Sequence, residues 1–174
     1  MEGRLRDLVL YIARCSESDP HFGATKLHKI LFYVDFMAYG MWGKSITGAR
    51  YVHQTHGPIA DKLGAVIEEL VDEGAARIEE RDWFEYKQRR LIAVRDPDIS
   101  QLNEQELALV DEAIERLRPL NARELSEWTH SLLPWLLTVK GEEIPLYTVY
   151  VWKVLPPSAD TIRWARALVE DLGG

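Results

Sequence analysis

The chain has 174 residues, enough to enclose one sizeable core and too few for two. With 47% hydrophobic and 28% charged residues it lies outside the compositional range of disordered chains, and a formal charge of −7 disfavours long-range attraction to nucleic acid or anionic membrane. Its single cysteine, Cys15, excludes an internal disulfide and a cysteine-based zinc centre. No apolar run reaches the ~20 residues of a membrane helix. The opening MEGRLRDLVLYIA has a short apolar stretch with acidic residues on both sides, unlike an export signal, so a cytoplasmic protein is expected.

Leu5, Leu8, Val9 and Ile12 share one helical face and predict a helix over 4–16, ended by Ser-Glu-Ser-Asp-Pro. A second helix is expected from Thr25 to Tyr39. Leu27, Ile30, Leu31, Val34 and Ala38 form its stripe, and Phe32, Tyr33, Phe36 and Met37 widen the apolar arc enough to make it the centre of the core. Gly40, Gly43 and Gly48 interrupt the pattern, and Ile46 to Thr55 reads as an extended segment. Pro58 is expected in the first turn of a third helix, whose buried face would be Ile59, Leu63, Val66, Ile67 and Leu70, closing at Gly74.

Ala76–Glu80 and Trp83–Val94 read as a hairpin turning near Arg81-Asp82, with Phe84, Tyr86, Ile92 and Val94 on one face. Asn103 with Glu106, and Asn121 with Glu124, have capping-box spacing and open two further helices. The first of these carries Leu107, Val110, Ile114 and Leu117 inward; the second runs through Leu125 and Trp128 toward His130, with Pro134 limiting it. Leu146–Leu155 reads as a strand buried on both faces, and Ile162, Ala165, Leu168, Val169 and Leu172 mark a last helix. The expectation is a single α+β domain, mainly α with a small antiparallel sheet or hairpin. Residues 1–145 would form its body and 146–174 a strand and helix packed on it.

Chemistry-bearing motifs are sparse. His53 and His56 are the closest histidine pair, but three residues apart on a strand they face opposite ways, and no nearby Cys or carboxylate completes a metal shell. There is no nucleophile elbow and no phosphate-binding glycine loop, and Cys15 falls at a helix C-terminus, where the dipole disfavours a thiolate. Neither catalysis nor a cofactor is expected.

The residues leave two binding modes open. Helices followed by a hairpin match the order of a winged helix, in which Arg81, Lys87, Arg89 and Arg90 would contact nucleic acid. Against this, 58–73 holds one basic residue, Lys62, among five acids, unlike a recognition helix, and the hairpin arginines have local acids to pair with. Charge comes in blocks: 26–63 sums to +3, 64–80 to −5, 81–95 to +3 and 96–118 to −5. Separate acidic and basic faces suit a protein-binding module, and Trp128 and Trp135, in a break between elements, are placed to touch a partner.

Four pieces in order carry a family resemblance. Lys26-Leu27-His28-Lys29-Ile30-Leu31-Phe32-Tyr33 is similar to a Lys-Leu-x-Lys-Leu-Leu-Tyr-Tyr helix. Tyr39, Gly40, Trp42 and Gly43 follow, then His56-Gly57-Pro58-Ile59. Last come Leu125-Ser126-Glu127-Trp128-Thr129-His130, Trp135 and Gly141-Glu142-Glu143-Ile144-Pro145. Over residues 5 to 145 this resembles the Panacea domain, the SocA-like antitoxin family of bacterial and phage toxin–antitoxin operons. The resemblance implies neutralisation of a co-encoded toxin by direct protein contact. A second implication is an adaptor role that hands the partner to a protease or chaperone. On this reading Lys26, Lys29 and Tyr33 line a groove beside His56-Gly57-Pro58, completed by Trp128, His130 and Trp135.

Overall fold

The computed structural model describes residues 2–83 and 86–151. Helix α1 (Glu2–Cys15) leads through a polar loop to α2 (Ala24–Trp42), on which most other elements rest. The hairpin β1 (Tyr51–Gln54) and β2 (Gly57–Ala60) follows, then α3 (Leu63–Asp72) and a second hairpin, β3 (Ala76–Trp83) with β4 (Tyr86–Ala93). A 3-10 turn at Ile99–Gln101 precedes α4 (Glu104–Leu117), α5 (Ala122–His130), the short α6 (Leu133–Leu136) and a 3-10 segment at Leu146–Val151. The mixed α+β class expected from the sequence is the class observed.

The wide apolar arc of α2 has the expected consequence. Leu27, Ile30, Leu31, Phe32, Val34 and Phe36 are all buried, and one hydrophobic cluster joins them to Leu8 and Ile12 of α1, Val66 and Leu70 of α3, Leu91 of β4 and Val110 of α4. The helix does not stop at Gly40. It continues to Trp42 and closes at Gly43, whose left-handed φ of 69° lets its N–H donate to the Tyr39 carbonyl. Within the helix Gly40 leaves room for Val149 to pack directly on it; a Cβ there would sit 3.1 Å from Val149 Cγ2.

Both capping boxes form as expected, with Asn103 and Asn121 accepting from Glu106 N and Glu124 N, and each glutamate returning to its cap's N–H.

Three segments differ from the sequence reading. Gly57-Pro58 does not open a helix: it lies in β2, paired antiparallel with β1 in the register His53↔Pro58 and Tyr51↔Ala60. Pro58 and Ala60 turn their outer main-chain groups toward α2. Pro58 has no N–H to strand there, its carbonyl accepts from Lys29 Nζ at 3.1 Å, and Ala60 N–H donates to His28 Nδ1 at 3.1 Å. Two side chains of α2 thus serve as β2's missing neighbour, and α3 begins only at Leu63.

In the second hairpin, Arg81 and Asp82 are strand residues paired with Gln88 and Lys87, so no turn lies there. Ile92 is buried, but Val94, one residue beyond β4, is exposed. Phe84 and the Tyr86 side chain lie outside what is described. Of the strand expected over Leu146–Leu155, Leu146–Val151 is a 3-10 segment instead, and 152–155 lie outside the described residues. Pro145 O accepts from both the N–H and the hydroxyl of Thr148, winding the chain up, and Tyr147 and Tyr150 face outward. The helix expected around 162–172 lies outside the described residues.

The extended segment of 46–50 is irregular and is held by one fully buried carboxylate. Asp35 of α2 accepts from Ile46 N, Thr47 N, Tyr51 Oη and the Thr47 hydroxyl. Burial pushes its carboxyl up from the usual range, against the four donors that pull it down. Asp35→Ala would strand those donors in the interior. We expect it to lower the free energy of unfolding by about 3 kcal/mol or more in urea denaturation, against about 1 kcal/mol for removal of a helix cap by Asn103→Ala.

Candidate functional site

Three of the four motif pieces converge where α2, the β1–β2 hairpin, α5 and α6 meet; the Tyr39–Gly43 piece closes the far end of α2 against the 146–151 segment. Gly57 sits at the centre with φ +104°. A Cβ there would lie 2.3 Å from Lys29 Nζ and 2.5 Å from Thr129 Oγ1, so only glycine lets the turn enter between α2 and α5. Ser126, Thr129 and His130 stand at i, i+3 and i+4 and therefore share the face of α5 that meets the turn. The Ser126 hydroxyl donates to the His56 carbonyl at 3.1 Å. Gly141–Ile144 lies along the free edge of β1: His53 N–H donates to Glu142 O, Gly141 N–H to His53 O and Ile144 N–H to Tyr51 O.

Beside this joint the rings of His53 and His130 both stack on Trp135, with centroids 3.3 and 4.4 Å away. Trp135 thereby ties the hairpin to α5. His53 Nδ1 lies 3.1 Å from Thr138 Oγ1, while His130 Nε2 is buried with no hydrogen-bond partner. The basicity of both imidazoles is lowered, first by burial; for His130, Lys29, His53 and His56 lower it further by charge.

The predicted groove residues divide. His56 is exposed, His130, Trp128 and Trp135 are half-buried, and Gly57 and Pro58 are buried. Tyr33 is buried, its ring 6.1 Å from that of Trp128 and under the Arg116 guanidinium. Lys26 and Lys29 are interior, each 1% exposed, and do not line a groove through their charge. Lys26 Nζ pairs with buried Asp19 at 2.7 Å and donates to Arg118 O, joining the α1–α2 loop to the end of α4. Lys29 holds β2. Burial pulls its amine from 10.5 down to about 7, with no carboxylate among the described residues paired to it.

The basic-wing reading loses its key residue. Arg90 is 1% exposed and donates to the carbonyls of Asp19 and Glu17, so it is an internal strut rather than a phosphate contact. Arg81 pairs with Glu79 at 2.8 Å and Lys87 with Glu80 at 3.7 Å; Arg89 is exposed. Among the described residues no group of three or more His, Cys, Asp or Glu could hold a metal, and no helix is long and apolar enough to cross a membrane. Sequence reasoning did not assign Asp35, Ser126, Thr129 or the stacking role of His53. For the α5 pair, the i, i+3 spacing within Leu-Ser-x-x-Thr-His was the available signal.

A family model described as antitoxin SocA-like, Panacea domain matches residues 27–136, more than half of the chain. No match was found among curated proteins or among solved structures.

Two outcomes test this geometry. Gly57→Ala should destabilise the fold by more than about 2 kcal/mol in chemical denaturation, through both the backbone strain and the forced shift of Lys29 and Thr129. For Lys29 the folded state releases a proton near pH 7 and the unfolded state near 10.5, so the unfolded chain binds more protons in between. Stability should rise with pH between about 7 and 10, by up to about 1.4 kcal/mol per unit. Lys29→Met should remove that component of the rise in a pH series of urea midpoints.

Proposed function

Because the chain belongs to the antitoxin SocA-like, Panacea domain family, we propose that it neutralises a co-encoded toxin by direct contact with that protein. The observation that supports this reading is a concentration of exposed apolar side chains between 136 and 150. Leu136, Leu137, Val139, Tyr147 and Tyr150 are each 62–64% exposed, whereas the only other large hydrophobics exposed among the described residues are Met41, Val94 and Ile99. Single exposed apolar residues are ordinary, but five within fifteen positions are the composition of a contact surface. Leu136 ends α6, Leu137 and Val139 follow it, and Tyr147 and Tyr150 lie on the 3-10 segment that packs against α6; that segment is anchored on α2 by Val149 over Gly40 and by the Tyr150 ring, 6.2 Å from that of Tyr39.

The chemistry suits a partner protein. The tyrosine and leucine side chains supply apolar anchors, and Lys140, Glu142 and Glu143, all exposed, supply a polar rim. Neutralisation of this kind needs occlusion of the toxin's working surface and no catalytic group on this chain.

The test is growth. Expression of the adjacent reading frame alone should arrest growth, and co-expression of this chain should restore it and co-purify with the product. Leu137→Asp with Tyr147→Asp should abolish both rescue and co-purification while leaving the thermal midpoint within a few degrees. Full rescue by a folded double variant would overturn the assignment of this surface.

A further inference from the structure

Tyr147 and Tyr150 stand three residues apart on the 3-10 segment, where one turn takes three residues, so their side chains line up on one outward face. Val149 is turned onto Gly40 instead. The described chain ends beside these tyrosines, at Val151, and residues 152–174 continue from there. Their sequence carries an apolar face of its own. At 100° per residue, Ile162, Ala165, Leu168, Val169 and Leu172 fall within an arc of about 120°, and Arg163, Arg166, Glu170 and Asp171 all fall outside it. Asp160 and Thr161, just ahead of the pattern, are residue types that open helices. A helix this short is marginal in water by itself and gains its stability by burying such a stripe.

We propose, resting on the partner reading above, that residues 162–172 fold back as a helix over Leu136, Leu137, Val139, Tyr147 and Tyr150 of the same chain and cover that surface until the partner protein displaces them. The length of chain selects this occupant. Residues 152–161 link the two, and ten residues reach at most about 35 Å, ample for a reversal onto a surface that starts where the link starts. Pro156 and Pro157 stop a continuous helix from running out of the 3-10 segment, so the following stretch is a separate element free to take a new direction. A tether this short holds the apolar stripe at an effective concentration in the millimolar range around the surface, far above that of a second copy in solution. The same tether makes the cover reversible by competition: a partner that binds the surface must displace the segment, and weakening the segment's hold strengthens the partner's.

The experiment needs no toxin. In the full chain with Cys15→Ser, Leu137→Cys places a single thiol in the surface, and its rate of alkylation by a maleimide is measured. Adding Leu168→Asp with Leu172→Asp should speed labelling by about tenfold or more, whereas Arg163→Ala with Glu170→Ala, on the polar side of the same stretch, should leave the rate unchanged. Where the aspartate pair fails to fold, Leu168→Ala with Leu172→Ala carries the same test. Equal rates in all of these chains would overturn the cover, and so would protection that fades on dilution, which marks a second copy as the occupant. Growth rescue separates the two readings. Labelling that responds to the aspartates in a chain that neutralises no toxin refutes the partner reading alone; rescue by a chain whose labelling does not respond refutes the cover alone.

Discussion

Helix α2 is enclosed on nearly every side and yet carries Lys26, Lys29 and Asp35 in its buried surface. Charged groups in such a position are tolerated only where each finds a fixed partner. The partners they find are irregular chain segments: Asp19 and Arg118 O for Lys26, Pro58 O for Lys29, and the 46–51 stretch for Asp35. The apolar arc collects the helices, and these three polar groups fix where the loops between them go. Loss of one partner would leave a buried charge or a set of orphaned donors, so the loop positions are held more firmly than their lack of regular structure suggests.

The same principle explains why the separated motif pieces belong together. The lysine helix, the His-Gly-Pro turn and the Ser-x-x-Thr-His helix are three sides of one joint. Gly57 gives the space for Lys29 and Thr129, Pro58 contributes a carbonyl without an unwanted N–H, and Ser126 closes the turn from the other side. Trp135 then spans the joint through two stacked imidazoles. The signature is in large part an instruction for assembling the domain. At its margin His56 is exposed and the chain runs on into exposed leucines and tyrosines.

The second hairpin shows how local charge misleads about partners. Its arginines are spaced like a nucleic-acid contact, but cross-strand and same-face acids neutralise Arg81 and Lys87, and Arg90 is turned inward to hold the 17–19 loop. A guanidinium only 1% exposed and held on two internal carbonyls is out of reach of a phosphate.

Periodicity alone placed α1, α2, α4 and α5, and cap spacing set the starts of the last two, because helix registry and capping are local properties of the chain. The family's sequence pieces were also legible, since they are contiguous. Pro58 was not: a proline after glycine suits a helix start or an edge strand equally, and only the Lys29 amine and His28 ring, about thirty residues away, select the strand. Nor could the chain show that Lys26, Lys29 and Arg90 point inward, because a basic residue is buried only when a distant acceptor meets it. The β-rich composition of 146–151 suggested a strand, yet no neighbour among the described residues pairs with it and Pro145 winds it into a 3-10 turn. What the sequence determined by itself was the local: helices, caps and family. Which polar groups form scaffold and which stay open to a partner was decided by tertiary contacts, because burial is a property of the assembled neighbours and not of the residue.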